Sequence, residues 1–183
     1  GFENRFSIYE FFHIIVFLIF KLKGMFTKQF EIRWNDLDPN MHLANSSYVN
    51  FMSHTRMAFF KKFGFSLQEI AKHELAPIVF YEHIYYFKES HIGELITVGL
   101  NVTGLSEDGM FFSFEHNFYN EKGKNIAQCD MLGAWMNFKT RKLTHLKDEF
   151  LNRASQFPKS KGFKILTKAD TRKYQKRPVD LIL

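Results

Sequence analysis

Between Asn35 and Asn45 the chain reads Asn-Asp-Leu-Asp-Pro-Asn-Met-His-Leu-Ala-Asn, with two aspartates, three asparagines and a histidine in eleven residues. Asp and Asn brace turns by bonding nearby backbone N–H groups, so part of this density is what any tight connection needs. The same residue types also supply hydrolysis at a carbonyl. A carboxylate serves as base or nucleophile, and an Asn amide or a His ring orients water and moves protons. Donors are also needed for the oxyanion that develops in the transition state. The free N–H groups and dipole of a helix starting near Asn45 to Tyr48 would provide them.

Other chemistry-bearing residues read as structural or surface groups. His54, His83 and His116 have no partners at metal-ligand spacing, so no metal site is expected. Glu82 and His83 are neighbours on a strand and point to opposite faces, which excludes a dyad. Cys129 is the single cysteine. It rules out an intrachain disulfide and a Cys-based zinc site, reads as a small buried hydrophobe, and fits a reducing, cytoplasmic compartment. No cofactor is called for.

The candidate residues lie between two elements. Phe26 to Trp34 alternates as a first strand, and Asn45-Ser46-Ser47 offers N-cap candidates for a helix. Tyr48, Met52, Thr55, Phe59 and Phe63 then recur at helical spacing, widened by Phe51 and Phe60, which predicts a deeply buried helix ending at Gly64. Ser66 to Glu69 is a capping box opening a short second helix to about Leu75. After Pro77 the pattern turns to strands. A long aromatic run to Lys88 precedes a period-two stretch at Ile96 to Thr103. An Asp108-Gly109 hairpin turn leads to Phe112 to Phe118, and after Gly123 a long strand covers Ile126 to Lys139. A last helix covers Lys147 to Ser155. A buried helix followed by an antiparallel meander has one economical solution, in which the sheet curls around the helix.

At 183 residues and 45% hydrophobic content, the chain suits one well-buried core, and its 23 phenylalanines suggest a core of rings or an apolar channel lined by them. From Pro158 onward eight lysines and arginines face two aspartates, which accounts for the whole formal charge of +6. This tail carries none of the usual folded nucleic-acid readers, so nucleic acid is not an expected partner. It reads as a solvated basic extension, or as an attractor for a phosphate-bearing ligand or acidic partner. The apolar run Phe11 to Phe20 falls short of the roughly 20 residues of a membrane-spanning helix, and no small-residue cleavage site follows it. Residues 1–24 therefore read as an extension whose helix packs an apolar side, residues 25–141 as the folded domain, and residues 142–183 as a C-terminal helix and basic tail.

The segment Asp36-x-Asp38-x-Asn40-x-His42, with Asn45 three further on and Tyr48 three after that, resembles the hotdog-fold thioesterases. It is similar to both the 4-hydroxybenzoyl-CoA thioesterase group and the fatty acyl-ACP thioesterases, over about Met25 to Arg141. The resemblance implies an α+β hotdog fold, a curled antiparallel sheet wrapped around a long central helix. It implies hydrolysis of an acyl thioester of CoA or acyl carrier protein, with no metal. Asp38 would be general base or nucleophile, Asn40 and His42 would position water and assist proton transfer, and Asn45 and Tyr48 would bind substrate. Asp36 is left as a turn brace. Met41 stands where many acyl-CoA members carry glycine, which leaves the carrier open between CoA and acyl carrier protein. The Phe-rich sheet would line an acyl tunnel, and the sheet's exposed edge implies a homodimer or tetramer. The alternatives are a hotdog hydratase or dehydratase and a non-catalytic acyl-binding protein of the same fold.

Overall fold

In a computed structural model, residues 25–182 are described; the helix expected within residues 1–24 lies outside them. The elements are β1 (Phe26–Glu31), α1 (Asn45–Lys62), α2 (Leu67–Lys72), β2 (Leu75–Tyr86), β3 (Leu95–Leu105), β4 (Phe111–Tyr119), β5 (Asn125–Asn137), β6 (Lys142–Leu143), α3 (Asp148–Ser155) and β7 (Lys159–Ile165). The sheet runs β1-β3-β4-β5-β2, with β6 on β5 and β7 on β3. The path is antiparallel throughout, and β-bulges at Val79/Tyr81, Val102/Gly104 and Phe118/Tyr119 help it to curl. This is the α+β hotdog architecture expected. Pro77 sits inside β2, where an edge strand can accommodate its missing N–H.

Helix α1 buries Tyr48, Phe51, Met52, Thr55, Phe59 and Phe60, while Asn50, Ser53, His54 and Lys61 remain exposed. The helix is deeply buried along the stripe that faces the sheet, and its opposite face is exposed. Phe60 lies 5.2 to 5.8 Å (ring centroids) from Phe112, Phe114 and Trp135. Phe59 lies 4.8 Å from Phe157. Each such buried side chain contributes about 1.5–3 kcal/mol. The rings meet one another between helix and sheet, so along this stripe they form the core of rings that the composition suggests.

Three local signals read from the sequence take their expected form. Ser66 Oγ accepts from the Glu69 N–H at 3.2 Å, closing the cap of α2. Gly64 follows α1 at φ +83, and Gly109 turns the β3–β4 hairpin at φ +70. The basic tail departs from its expectation as a solvated extension. β7 pairs in parallel with β3 at Val102 to Leu105, just past the stretch that β1 covers. Leu166 packs with Phe111, Leu132 and Ala134 on the sheet's outer face. A Cβ on Gly104 would stand 2.8 Å from Leu166 Cδ2, a measure of how closely the tail lies on the strand. Tyr174 then reaches His83 Nδ1 through its hydroxyl at 2.9 Å. A few apolar residues spaced through the lysines anchor the segment, and net charge alone does not display them.

Candidate active site

β1 ends sooner than the alternation predicts, at Glu31, and Trp34–Asp36 forms a 3-10 turn. Asp36 explains the turn. Its Oδ2 accepts from the Arg33 N–H and Nε, both at 3.0 Å, and Oδ1 accepts from an Arg33 terminal nitrogen at 3.3 Å. Burial pushes its carboxyl up, but the hydrogen bonds and charge of Arg33 outweigh this and hold it below the usual carboxylate range. The Asp36 carbonyl accepts from the Ala44 N–H and the Ser47 hydroxyl, both at 2.9 Å. Asp36 thus fastens the end of β1 to the start of α1. It is the turn brace that the sequence suggested.

The next residues make a smaller loop. Leu37 and Leu43 form an isolated antiparallel bridge. Inside it the Asp38 N–H donates to the His42 carbonyl at 2.8 Å, and the Met41 N–H donates to the Asp38 carbonyl at 3.0 Å. The Asp38 carboxylate accepts from the N–H of Asn40 at 2.8 Å and of His42 at 3.1 Å, both through Oδ1. Asp38 is therefore a brace as well, but only one of its oxygens is used. Oδ2 has no hydrogen-bond donor among the described residues. Met41 takes φ +64, the left-handed region where a glycine would carry no strain, and it is exposed.

Asp38, Asn40 and His42 share this loop, with Asp38 and His42 half-buried and Asn40 exposed. The N-terminus of α1 differs from expectation. Its cap is Ala44, without a side-chain bond, and not one of Asn45 to Ser47. The Ser46 N–H turns to Asn45 Oδ1 at 2.9 Å, and the Ser47 N–H donates to the Ala44 carbonyl at 2.9 Å. The Tyr48 N–H points to the same carbonyl at 3.4 Å. A tight first turn consumes these donors locally, and the Asn45 N–H is left without an acceptor among the described residues. Tyr48 is buried with its ring 5.1 Å from Tyr86 and 5.0 Å from Phe118. Burial first, then the neighbouring Tyr86 and Glu94, push its phenol up to about 12.

No local pattern marks the partners of His42. Its Nε2 lies 3.3 Å from Glu89 Oε2, and its ring meets the His91 ring edge-on at 5.2 Å. Glu89 and His91 belong to the β2–β3 connection, 47 and 49 residues along the chain. The Leu43 N–H donates to the Ser90 carbonyl at 2.8 Å and ties the two loops together. His83, Glu82 and His116 behave as read. His83 faces Tyr174, Glu82 pairs with Arg56 at 2.7 Å on the other face, and His116 is fully buried with Nδ1 on the Gly99 carbonyl. Among the described residues no helix is long and apolar enough to cross a membrane.

Comparison with known proteins now bears on this loop and its sheet. No curated protein matches the chain significantly. Among solved structures, a hypothetical Staphylococcus aureus protein in complex with CoA is similar at 18% identity and TM-score 0.69, covering 86% of this chain and 96% of its own. A 1,4-dihydroxy-2-naphthoyl-CoA thioesterase from Synechocystis is similar at 18% identity and TM-score 0.64, over 73% and 97% of the two chains. The YbaW probable thioesterase from Escherichia coli is similar at 22% identity and TM-score 0.61, over 73% and 99%. These likenesses establish the hotdog fold. The profile of the thioesterase-like superfamily matches residues 32–154, from the end of β1 through α3 and including the Asp36 to Tyr48 segment. The chain belongs to the thioesterase-like superfamily.

Proposed function

We propose that this protein hydrolyses an acyl thioester and that Asp38 acts on it as general base or nucleophile. The observation that carries the reading is the Asp38 carboxylate, whose Oδ1 is fixed by two backbone N–H groups while Oδ2 has no donor among the described residues. A carboxylate oriented through one oxygen is held in place for chemistry at the other. In the general-base route Oδ2 takes a proton from water as its oxygen bonds to the thioester carbon. The C–S bond then breaks, and the thiolate leaves with that proton. Asn40 and His42 flank Asp38 in the same loop, where an amide and an imidazole can orient the water and relay the proton. The Asn45 N–H, at the positive end of α1, is the donor we assign to the developing oxyanion. Tyr48 lies beneath that turn as a buried wall of the binding site. Because a thiolate is a good leaving group, the chemistry makes no demand for a metal.

CoA is the carrier we propose, supported by the CoA complex and the CoA thioesterase among the similar folds. The lysines and arginines of the tail, Lys159 to Arg177, would draw in its phosphates. The test is thiol release from a panel of acyl-CoA and acyl-ACP substrates. Turnover of acyl-CoA is the predicted result, and turnover of acyl-ACP alone would reassign the carrier. Binding of acyl-CoA without turnover of either class would contradict hydrolysis and favour a non-catalytic acyl-binding role.

A further inference from the structure

His42, Glu89 and His91 bring two imidazoles and a carboxylate together with all three ligand atoms within 4.8 Å of one another, the one such cluster among the described residues. We propose that they form a site for a divalent transition metal of the Zn2+ class, bridging the β1–α1 loop to the β2–β3 loop.

The donor set and its spacing carry the proposal. Two neutral imidazoles and one carboxylate suit zinc, and a fourth position stays open to water. In a tetrahedral site with metal–ligand distances of about 2.0–2.2 Å, neighbouring donors stand about 3.3–3.6 Å apart. His42 Nε2 and Glu89 Oε2 already stand at 3.3 Å, and His91 Nε2 lies 3.8 Å from Glu89 Oε1. Binding an ion would draw the three donors, now within 4.8 Å of one another, to that spacing.

The backbone is arranged to hold these groups. Ser90, between Glu89 and His91, is buried, while its two neighbours are exposed. Its carbonyl takes the Leu43 N–H at 2.8 Å, which fixes the residue after His42 to the residue between the other two ligands. His42 is held from its own side by the bond of its N–H to Asp38. Because the side chains of His42, Glu89 and His91 are 37%, 62% and 48% exposed, an ion from solvent reaches them freely. A bound ion would occupy His42 Nε2 and so withdraw that nitrogen from proton transfer, making the site a reversible brake on hydrolysis. The brake rests on the hydrolytic reading given above, whereas the binding site does not.

Isothermal titration of ZnCl2 into EDTA-treated protein tests the site, with His91→Ala and Glu89→Gln as variants. Both positions are exposed and outside the proposed catalytic set. The wild-type protein should bind one equivalent that each variant loses or binds more than about tenfold more weakly. Identical isotherms for wild type and His91→Ala would overturn the site and assign any zinc uptake to the other histidines. Zinc should also slow thioester hydrolysis by wild type while leaving the metal-free rate of His91→Ala unchanged on addition. Zinc binding that depends on His91 but does not slow hydrolysis would uphold the site and remove His42 from the proton relay.

Discussion

Replacing Asp36 by Asn should destabilise the protein without touching its chemistry. Asp36 is 4% exposed, and its carboxylate gathers three bonds from Arg33, of which the backbone N–H bond at 3.0 Å is the most shielded. A hydrogen bond to a charged acceptor is worth about 1.5–3 kcal/mol. The Arg33 side chain is 65% exposed, so solvent screening leaves its ion pair little to add. An Asn side chain keeps one acceptor and loses the charge, which leaves an expected cost of about 1–3 kcal/mol at pH 7. The pH dependence gives a second handle. Because Arg33 holds the folded carboxyl below its ordinary value, the stabilisation is complete above the unfolded value of about 4 and is lost as pH falls through the folded one. Urea unfolding of both proteins at pH 7 and at low pH measures it. The gap between wild type and Asp36→Asn should be largest at pH 7 and close in acid. Equal midpoints at pH 7, or a gap that does not change with pH, would refute the role given to Asp36.

Burial, reinforced by the Arg56 charge, lowers the His116 imidazole to about 3 against its Gly99 carbonyl bond. Stability should therefore be full above the unfolded value of about 6.5 and fall by about 1.4 kcal/mol per pH unit toward acid. His116→Asn, which can keep the bond to Gly99, should flatten that slope between pH 6 and 4 in denaturant titrations; an unchanged slope would exclude His116. Leu166→Ala should cost about 2–5 kcal/mol, because Leu166 is buried on the outer face of the sheet. A cost below about 0.5 kcal/mol, as for an ordinary surface substitution, would return the tail to a solvated extension. Strand β2 ends the sheet with Tyr85, Tyr86 and Phe87 exposed, so light scattering at micromolar concentrations should give at least a dimer and not a monomer.

Most of the fold was legible because its signals are local. Aromatic residues at helical spacing marked α1, alternation marked β3 and β4, and Asp108-Gly109 and Ser66 to Glu69 marked a turn and a cap. The central helix is deeply buried along one stripe and exposed on the opposite face, because a helix on one sheet needs only a single apolar stripe. Strand β7 carried no signal, since its residues alternate lysine with Ser, Gly and Phe and it gains its place by completing the edge of β3. The candidate loop was legible by residue type and not by geometry. Nothing in the spacing of Asp36 and Asp38 says that both brace the backbone, or that Asp38 does so with one oxygen only. The link from His42 to Glu89 and His91 depends on backbone bonds between distant loops, Leu43 to Ser90 among them. Local pattern cannot register such a contact.

The central claim rests on the oxygen of Asp38 left unbonded by the loop. Asp38→Asn keeps its size and can still accept from Asn40 and His42, but it removes the charge that would activate water or attack the carbonyl. Steady-state hydrolysis of an acyl-CoA that the wild type turns over, compared across wild type, Asp38→Asn and Asp36→Asn with folding checked by circular dichroism, measures the difference. Asp38→Asn should lose about 10²- to 10⁴-fold in rate, and Asp36→Asn should retain most of its activity. Full activity in Asp38→Asn, or equal losses in both variants, would contradict the assignment.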